Sequence, residues 1–349
     1  MNFQQLRSVR EAVRQGFNLT EVAGVLHTSQ PGVSRQIREL EQELGIELFV
    51  RAGKRLTGLT EPGKTALPII ERLLVEADNV RRAGEDFARS GEGTLTIAAT
   101  HSQARYALPT AVRDFLGRHP DVGLHLHQGS PKQIARQLLD GEADIGIATE
   151  GLADCEDLVA LPCYRWTHVV IVPRQHALAE EQRRGVPLTL QRLASFPLVT
   201  YEPGYTGRGH IDDAFGHLGI EPEVVLSAMD ADVIKTYVEL GLGVGIIAAI
   251  AYDAQRDPGL AAIDARHLFA TNVTRLAIRR GTYLRDYAYE FISTFASPLT
   301  REVVDGALQS QPGRVPVEAV AQLVVQPVVP PVVQSPEPVA QPLMQPIAA

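Results

Sequence analysis

NLTEVAGVLHTSQPGVSRQIRELEQELGIELFVR, residues 18–51, decides how the N-terminal part of the chain is read. Leu19, Val22, Ala23 and Leu26 fall on one face of a first short helix. Thr20 stands where an N-cap belongs, with Ala23 rather than Glu three residues on, so the capping box is incomplete. His27-Thr28-Ser29-Gln30 reads as the turn, and Pro31 suits the first turn of a second helix, where a missing N–H costs nothing. Val33, Ile37, Leu40 and Leu44 recur at helical spacing and are expected to hold that helix to the core. Gln30, Ser34, Arg35 and Arg38 occupy its opposite face. Arg and Gln side chains make paired hydrogen bonds to guanine and adenine edges, and Ser reaches bases or phosphate. Two short helices, a tight turn and a following wing form a winged helix-turn-helix, which presents its second helix to the DNA major groove.

The same segment resembles the N-terminal domain of the LysR-type transcriptional regulators. The likeness rests on Ala23, Ser29-Gln30-Pro31, Ser34, Arg35, Ile37, Leu40-Glu41, Leu44-Gly45, Leu48-Phe49 and Arg51, and continues through Leu56-Thr57, Leu59-Thr60 and Gly63. It implies a DNA-facing set of Ser29, Gln30, Pro31, Ser34, Arg35 and Arg38. Arg51, Lys54 and Arg55 would hold phosphates beside the groove. Phosphate contacts position such a protein, and base contacts give it sequence preference.

The chain has 349 residues and a formal net charge of -8. That charge is wrong for a protein that coats nucleic acid unselectively, but it suits a small DNA-binding domain joined to a larger acidic sensor. Residues 1–60 are expected to form the DNA-binding domain. No secretory n-region and apolar h-region open the sequence, and no uncharged apolar run is long enough to span a bilayer. Two cysteines, Cys155 and Cys163, do not make a secreted disulfide framework. The expected location is the cytoplasm.

Residues 61–90 read as one long linker helix. Leu67, Ile70, Leu74, Ala77 and Phe87 recur near helical spacing, and Ile69, Leu73 and Val80 widen the stripe. So broad an apolar face wants a partner, which in the resembling family is a second copy. Gly91-Glu92-Gly93 reads as a hinge. Strands are then expected at 94–99, 122–128, 145–148, 197–201, 224–228, 244–248 and 274–279, with more between 158 and 172. Helices are expected at 104–118, 131–139, 212–218, 232–240 and 285–295. This alternation predicts a mostly parallel sheet with helices on both faces. Two such halves with crossing connections resemble the periplasmic-binding-protein type of effector domain, here 91–310. Residues 311–349, rich in Pro, Val and Gln, read as an extended, disordered tail.

Ligands of open α/β sheets bind beyond the carboxyl ends of the strands. The strings that fall there are THSQARYALP (100–109), HQGSP (127–131), ATE (148–150), LPCYRW (161–166), LVTY (198–201), GYTGR (204–208) and DADVIKTY (230–237). Helix N-termini at such places favour an anion. The strings are closest to the cysteine-regulon subgroup of the LysR-type family, the CysB-like group, from Met1 to about Val304. That resemblance implies control of sulfur assimilation or sulfonate use, and an effector that is acetylserine-like or a sulfate- or thiosulfate-like anion. Thr100, Ser102, Gln103 and Thr149 match the subgroup's anion-binding positions, with Trp166 nearby. Ser102 replaces a threonine and keeps its hydroxyl. Glu202 stands where the subgroup has a further threonine, and a carboxylate there repels sulfate unless it is protonated or turned away. Thr200 and Thr206 are the substitutes for it. The expectation is weaker sulfate binding, or a different effector that bears an amine.

His125 and His127 alternate along one strand without a third ligand at metal spacing, so they are read as structural. Cys163 belongs to the LPCYRW string and reads as a core residue, while Cys155 lies beside Glu156 and Asp157, which disfavour a thiolate. No nucleophile elbow, Walker loop or dinucleotide fingerprint is present. The reading is a non-enzymatic DNA-binding regulator, chiefly an activator, without cofactor or metal. Its partners would be promoter DNA, a small effector, RNA polymerase and further copies of itself in a dimer or tetramer. The alternatives are a regulator of a non-sulfur pathway, and a solute-binding module whose N-terminal helices serve only assembly.

Overall fold

The computed structural model describes residues 1–53, 55–88 and 92–310. Lys54, Gly91 and the 311–349 tail therefore lie outside the described residues. The first domain contains α1 (Phe3–Arg14), α2 (Leu19–Val25), α3 (Gln30–Leu44) and the two-stranded wing β1 (Phe49–Ala52) and β2 (Arg55–Leu59). Its core joins Leu6, Val9, Val22, Val33, Ile37, Leu40 and Phe49 to Ile70 and Leu74 of the linker helix α4 (Glu61–Ala88). The wing and helix pair thus sit on a platform that runs into the linker.

Three local readings change. Asn18, not Thr20, caps α2: its Oδ1 accepts the Thr20 N–H at 3.1 Å. Ser29 caps α3, accepting the Gly32 N–H at 3.3 Å, so Gln30 already belongs to the helix. Leu44 is 43% exposed, because the left-handed Gly45 ends α3 before that side chain meets the core. On α4, Ile70 and Leu74 are buried, whereas Ile69, Leu73, Val80 and Phe87 face outward.

Beyond the linker stand two sheets of like design. The first runs β4-β3-β5-β12-β6, from β3 (Gly93–Ala99), β4 (Val122–Gln128), β5 (Ile145–Ala148), β6 (Leu158–Trp166) and β12 (Asn272–Arg279). The second runs β11-β7-β10-β8-β9, from β7 (His168–Pro173), β8 (Leu198–Tyr201), β9 (Val224–Ala228), β10 (Val244–Ala248) and β11 (Leu260–Asp264). In each, a central strand is flanked by two parallel neighbours, and an antiparallel pair completes the far side. Helices α5 (Leu108–Arg118), α11 (Asp286–Phe295) and α12 (Arg301–Gln309) cover one face of the first sheet, and α6 (Pro131–Asp140) covers the other. Helices α7 (Ala177–Arg183), α8 (Leu190–Leu193) and α9 (Arg208–Gly216) cover one face of the second, and α10 (Ala231–Glu239) the other. With both faces covered, inner strands such as IGIA and VGIIA are apolar at every position rather than alternating.

The likeness extends to single residues. A Cβ on Gly146 of β5 would lie 2.6 Å from Leu138 Cδ1 of α6. A Cβ on Gly245 of β10 would lie 2.7 Å from Val238 Cγ2 of α10. Glycine at the same place in each half lets a helix rest directly on its third strand. The chain passes between halves twice, from Trp166 to His168 and again ahead of Asn272, and Trp166 and Asn272 are register partners in the first sheet.

The N-terminal domain rests on the first half. Arg14 pairs with Asp140 at the end of α6 at 2.8 Å and donates to the Leu139 carbonyl at 3.2 Å. Asn79 of α4 donates to the Gly281 carbonyl at 2.6 Å and accepts the Tyr283 N–H at 2.8 Å. Among the described residues, no helix is long and apolar enough to cross a membrane.

Candidate nucleic-acid interface and ligand cleft

On α3, Ser29, Gln30, Pro31, Arg35 and Arg38 are exposed and Ser34 is partly so, all on the face opposite Val33, Ile37 and Leu40. Arg35 pairs with Glu39 one turn on at 2.6 Å, in solvent, and each holds the other's charged form. Arg55 of the wing is exposed as well. Arg51 is different. Its guanidinium pairs with buried Glu41 at 2.6 Å. The other Glu41 oxygen accepts the Leu48 and Phe49 N–H groups at 2.9 and 3.2 Å. Glu41 therefore ties α3 to the start of the wing, and Arg51 is held by the chain itself before any phosphate arrives. That role was not read from the sequence, where Glu41 entered as part of the family likeness.

The carboxyl ends of the central strands of the two halves face each other. From the first half come Thr100, Ser102, Gln103 and Thr149, all buried. Trp166 and Asn272 come from the chain crossings, and Tyr201, Thr200 and Thr206 from the second half. Some of the expected ligands are already engaged. The Gln103 amide donates to Thr274 Oγ1 at 3.1 Å and accepts from the Tyr164 hydroxyl. Thr200 Oγ1 donates to the Ile246 carbonyl at 3.4 Å, which commits it to the sheet rather than to the cleft. Thr206 holds a left-handed backbone (φ 41) and offers its carbonyl to His168 Nε2 at 3.2 Å. Glu202 is partly exposed, and its N–H donates to the Ala228 carbonyl at 3.0 Å.

Other polar atoms have no partner. Ser102 Oγ, Trp166 Nε1, Asn272 Oδ1, His210 Nδ1 and Glu150 Oε2 are shut from solvent without a hydrogen bond. A buried polar atom left unpaired costs about 1–3 kcal/mol. Such atoms are the ones a polar partner would satisfy.

Glu150 is the carboxylate this cleft encloses. It follows β5 in the first half, yet its Oε1 accepts the N–H of Gly207, the residue that begins α9 in the second. Gly207 is left-handed (φ 73), and a Cβ there would lie 2.7 Å from His168 Cε1. Burial pushes the Glu150 carboxyl up to about 7, against the Gly207 bond and the Arg275 charge, which pull it down. Burial likewise pushes His168 down to about 4, so its ring is neutral near pH 7.

A second set of bonds crosses between the halves. Asp232 of α10 accepts from the Tyr106 hydroxyl at 2.7 Å and pairs with Arg105 at 2.6 Å and Lys235 at 3.2 Å. His101 Nε2 lies 3.3 Å from the same carboxylate. Burial alone would raise the Asp232 carboxyl, but Tyr106, His101 and Lys235 hold it below its ordinary value. Ligand atoms of His101, Asp230 and Asp232 come within 4.8 Å of one another. Asp230 caps α10 through the Val233 N–H, at 2.9 Å, and Asp232 already faces two cations of the chain. The sequence reading foresaw none of these cross-cleft bonds.

His125 and His127 are exposed on β4, the edge strand of the first sheet. Cys163 is in the core, with burial raising its thiol to about 12, while Cys155 packs on the opposite side of the first sheet; both are free thiols.

The model of the bacterial regulatory helix-turn-helix protein, lysR family, matches residues 3–64, and the model of the LysR substrate binding domain matches 88–298. The HTH-type transcriptional regulator SsuR of Burkholderia cenocepacia is 55% identical over 309 residues, covering 88% of this chain and 99% of that protein. CysB of the same organism is 51% identical, covering 89% of this chain and 98% of its own length. The regulator cbl of Escherichia coli is 52% identical, covering 86% and 94%. Among solved structures, the cofactor-binding domain of the Cbl transcriptional regulator superposes with a TM-score of 0.60 at 44% identity, covering 63% of this chain and 96% of that one. Full-length CbnR complexed with its target DNA gives a TM-score of 0.51 at 22% identity, covering 86% and 100%, which speaks to the fold alone.

Proposed function

The chain belongs to the LysR family of transcriptional regulators, and on that premise we propose that it controls sulfur-assimilation or sulfonate-use genes in response to a small sulfur-related effector. The effector is a sulfate- or thiosulfate-like anion, or an acetylserine-like molecule, held between the two halves of the 91–310 domain. The observation that carries the cleft assignment is the set of buried, unpartnered Ser102 Oγ, Trp166 Nε1 and Asn272 Oδ1. Hydroxyl and N–H donors bind an oxyanion without a full countercharge, because several dipoles share the load. The pathway rests on the likeness to CysB and its relatives over almost the whole described length.

In this reading Gln30, Ser34, Arg35 and Arg38 meet base edges, and Arg55, Lys54 and Arg51 lie along phosphates. The outward stripe of Ile69, Leu73, Val80 and Phe87 on α4 pairs with a second copy, and two such dimers make a tetramer. An effector that favours one arrangement of the halves changes the set of the subunits on DNA, and so the productive contact with RNA polymerase. The protein works in the cytoplasm, and its relatives are regulators rather than enzymes.

Thermal stabilisation by sulfate, thiosulfate, sulfite and the acetylserine isomers tests the proposal. A ligand at a hundredfold its Kd stabilises the folded state by about 2.7 kcal/mol. A clear rise in Tm with one of these compounds, and none with chloride, is expected. Folded, DNA-binding protein that responds to none of them would move the pathway away from sulfur.

A further inference from the structure

Glu150 stands where an anionic ligand would be welcome. The N-terminus of α9 has no side-chain cap of its own, and the partner of the Gly207 N–H is a carboxylate from the other half of the domain. The second oxygen of that carboxylate is buried and unpaired. Asn272, only 1% exposed and with its own Oδ1 unpaired, packs against Gly207. The arrangement thus holds an anion at a helix start together with unanswered polar atoms around it.

We propose that Glu150 is the cleft's built-in surrogate for the anionic group of the effector: it bonds Gly207 while the cleft is empty, and surrenders that place, with uptake of one proton, when an anion binds. This rests on the reading of the cleft as an oxyanion site. A carboxylate and a sulfate in one closed space repel, so the protein either rejects the anion or protonates the carboxyl. The protonated carboxyl gains an O–H, which donates to the incoming oxyanion, and the Gly207 N–H becomes free to do the same. Proton and anion therefore enter together, and the net charge of the cleft changes by one less than the charge of the ligand.

The groups that face Glu150 set the sign of the pH effect. Arg275 of β12 donates to the Thr149 carbonyl at 3.4 Å, and its charge draws the Glu150 carboxyl down. His168 of β7, deeply buried, stays neutral above about pH 4. His210 of α9 acts on His168, and its own Nδ1 is unpaired. The Glu150 carboxyl, raised by burial to about 7, is the group that changes charge across neutrality. Sulfate keeps its charge over that range, so any pH dependence of its binding belongs to the protein.

The experiment is calorimetric titration of the full chain with inorganic sulfate at pH 6, 7 and 8, for wild type and Glu150→Gln. Each is run in two buffers of different ionisation enthalpy, so that protons taken up are counted directly. Only the protonated fraction binds, so the wild-type Kd is expected to rise about tenfold from pH 6 to pH 8. Close to one proton is expected to enter per sulfate at pH 8, and almost none at pH 6. Glu150→Gln is expected to bind with a Kd that is flat over the range and with no proton uptake. Sulfate binding to wild type without pH dependence or proton uptake overturns the proposal and leaves the oxyanion reading standing. pH dependence that persists in Glu150→Gln places the proton on another group and overturns it too. Sulfate binding to neither protein at any pH overturns the proposal and removes sulfate from the proposed effectors.

Discussion

The two working surfaces of this molecule are built on opposite principles. The side of α3 proposed to face DNA is exposed, and its Arg35 is answered by Glu39 in solvent. It rests on a core that Val33, Ile37 and Leu40 complete without any ligand. The cleft is the reverse: it is buried, and Ser102, Trp166, Asn272 and Glu150 keep polar atoms there with nothing to bond. A reader of DNA must present a fixed surface to a partner that stays in water. A sensor must be worse off empty than full, since a ligand shifts an equilibrium only by the difference in how it binds the two states. Substitutions on the two surfaces should therefore move stability and binding in different combinations.

The largest effect is expected at Glu41, where the DNA-binding domain does depend on a buried charge. Glu41→Ala strands Arg51 and the Leu48 and Phe49 N–H groups together. Breaking one side of a buried pair costs about 3–5 kcal/mol. Urea denaturation of the variant should show an early transition, and specific DNA binding should be lost with the wing. A variant as stable as wild type would mean that the first domain, too, tolerates unpaired buried groups, and the contrast between the surfaces would fail.

Next in size is the enclosure of Glu150. The Glu150 carboxyl is raised in the folded protein from an ordinary 4.5 to about 7. It therefore favours the folded state below pH 4.5, and that contribution is lost as pH rises to about 7. His168, lowered from 6.5 to about 4, works the other way: its contribution is full above pH 6.5 and is lost as pH falls towards 4. Between these limits the two slopes oppose, so wild-type stability should vary little. Glu150→Gln removes one of them and keeps an oxygen for the Gly207 N–H. At pH 8 it should be more stable than wild type by about 2–3 kcal/mol, a gain that vanishes near pH 4. Thermal melts across this range read both limbs, and a variant less stable than wild type at pH 8 would contradict the enclosure of Glu150.

The contrast between the surfaces also explains what the sequence discloses. Strands at 122–128, 145–148, 224–228 and 244–248 match their predicted bounds; the inner pair, 145–148 and 244–248, are unbroken apolar runs because both faces are covered, while the edge pair, 122–128 and 224–228, alternate. The face of α3 is legible for a related reason: its buried and exposed residues alternate within one helix, and local spacing reports them. Local spacing does not report what lies across a cleft. Glu150 sits in a string recognised as part of the crevice, yet nothing near it in sequence points to Gly207, whose amide it meets through the packing of two sheets. Thr200 misled in the same way: its place at a strand end suggested a ligand, but the neighbouring β10 supplies the Ile246 carbonyl that claims its hydroxyl. Short elements such as α7 and α8 went unread for want of enough turns to show a period.

On the DNA side, Arg35→Ala should separate binding from folding. Its side chain is 79% exposed and, among the described residues, pairs with Glu39 alone, in solvent, so stability should stay within about 0.5 kcal/mol of wild type. Loss of a side chain that meets a base edge should weaken specific binding by about 1–2 kcal/mol, measured by fluorescence anisotropy with an operator duplex against a scrambled one. Equal loss on both duplexes would make Arg35 a phosphate contact. No loss on either would take Arg35 out of the DNA contact.

Ser102→Ala is the subtlest test, and it runs against the usual effect of a buried substitution. Replacing a buried serine normally removes a hydrogen bond and destabilises. Here the hydroxyl is 1% exposed and has no partner, so its removal relieves a desolvated group and leaves a smaller, apolar side chain. The ligand-free variant should be as stable as wild type or more stable by up to about 1 kcal/mol, as read from Tm, and its affinity for the effector should fall. That combination, firmer when empty and weaker when binding, is what a group held in reserve for a ligand produces. A variant that loses stability while binding unchanged would place Ser102 in the scaffold. The cleft would then differ from the DNA-facing helix only in being buried, not in being incomplete.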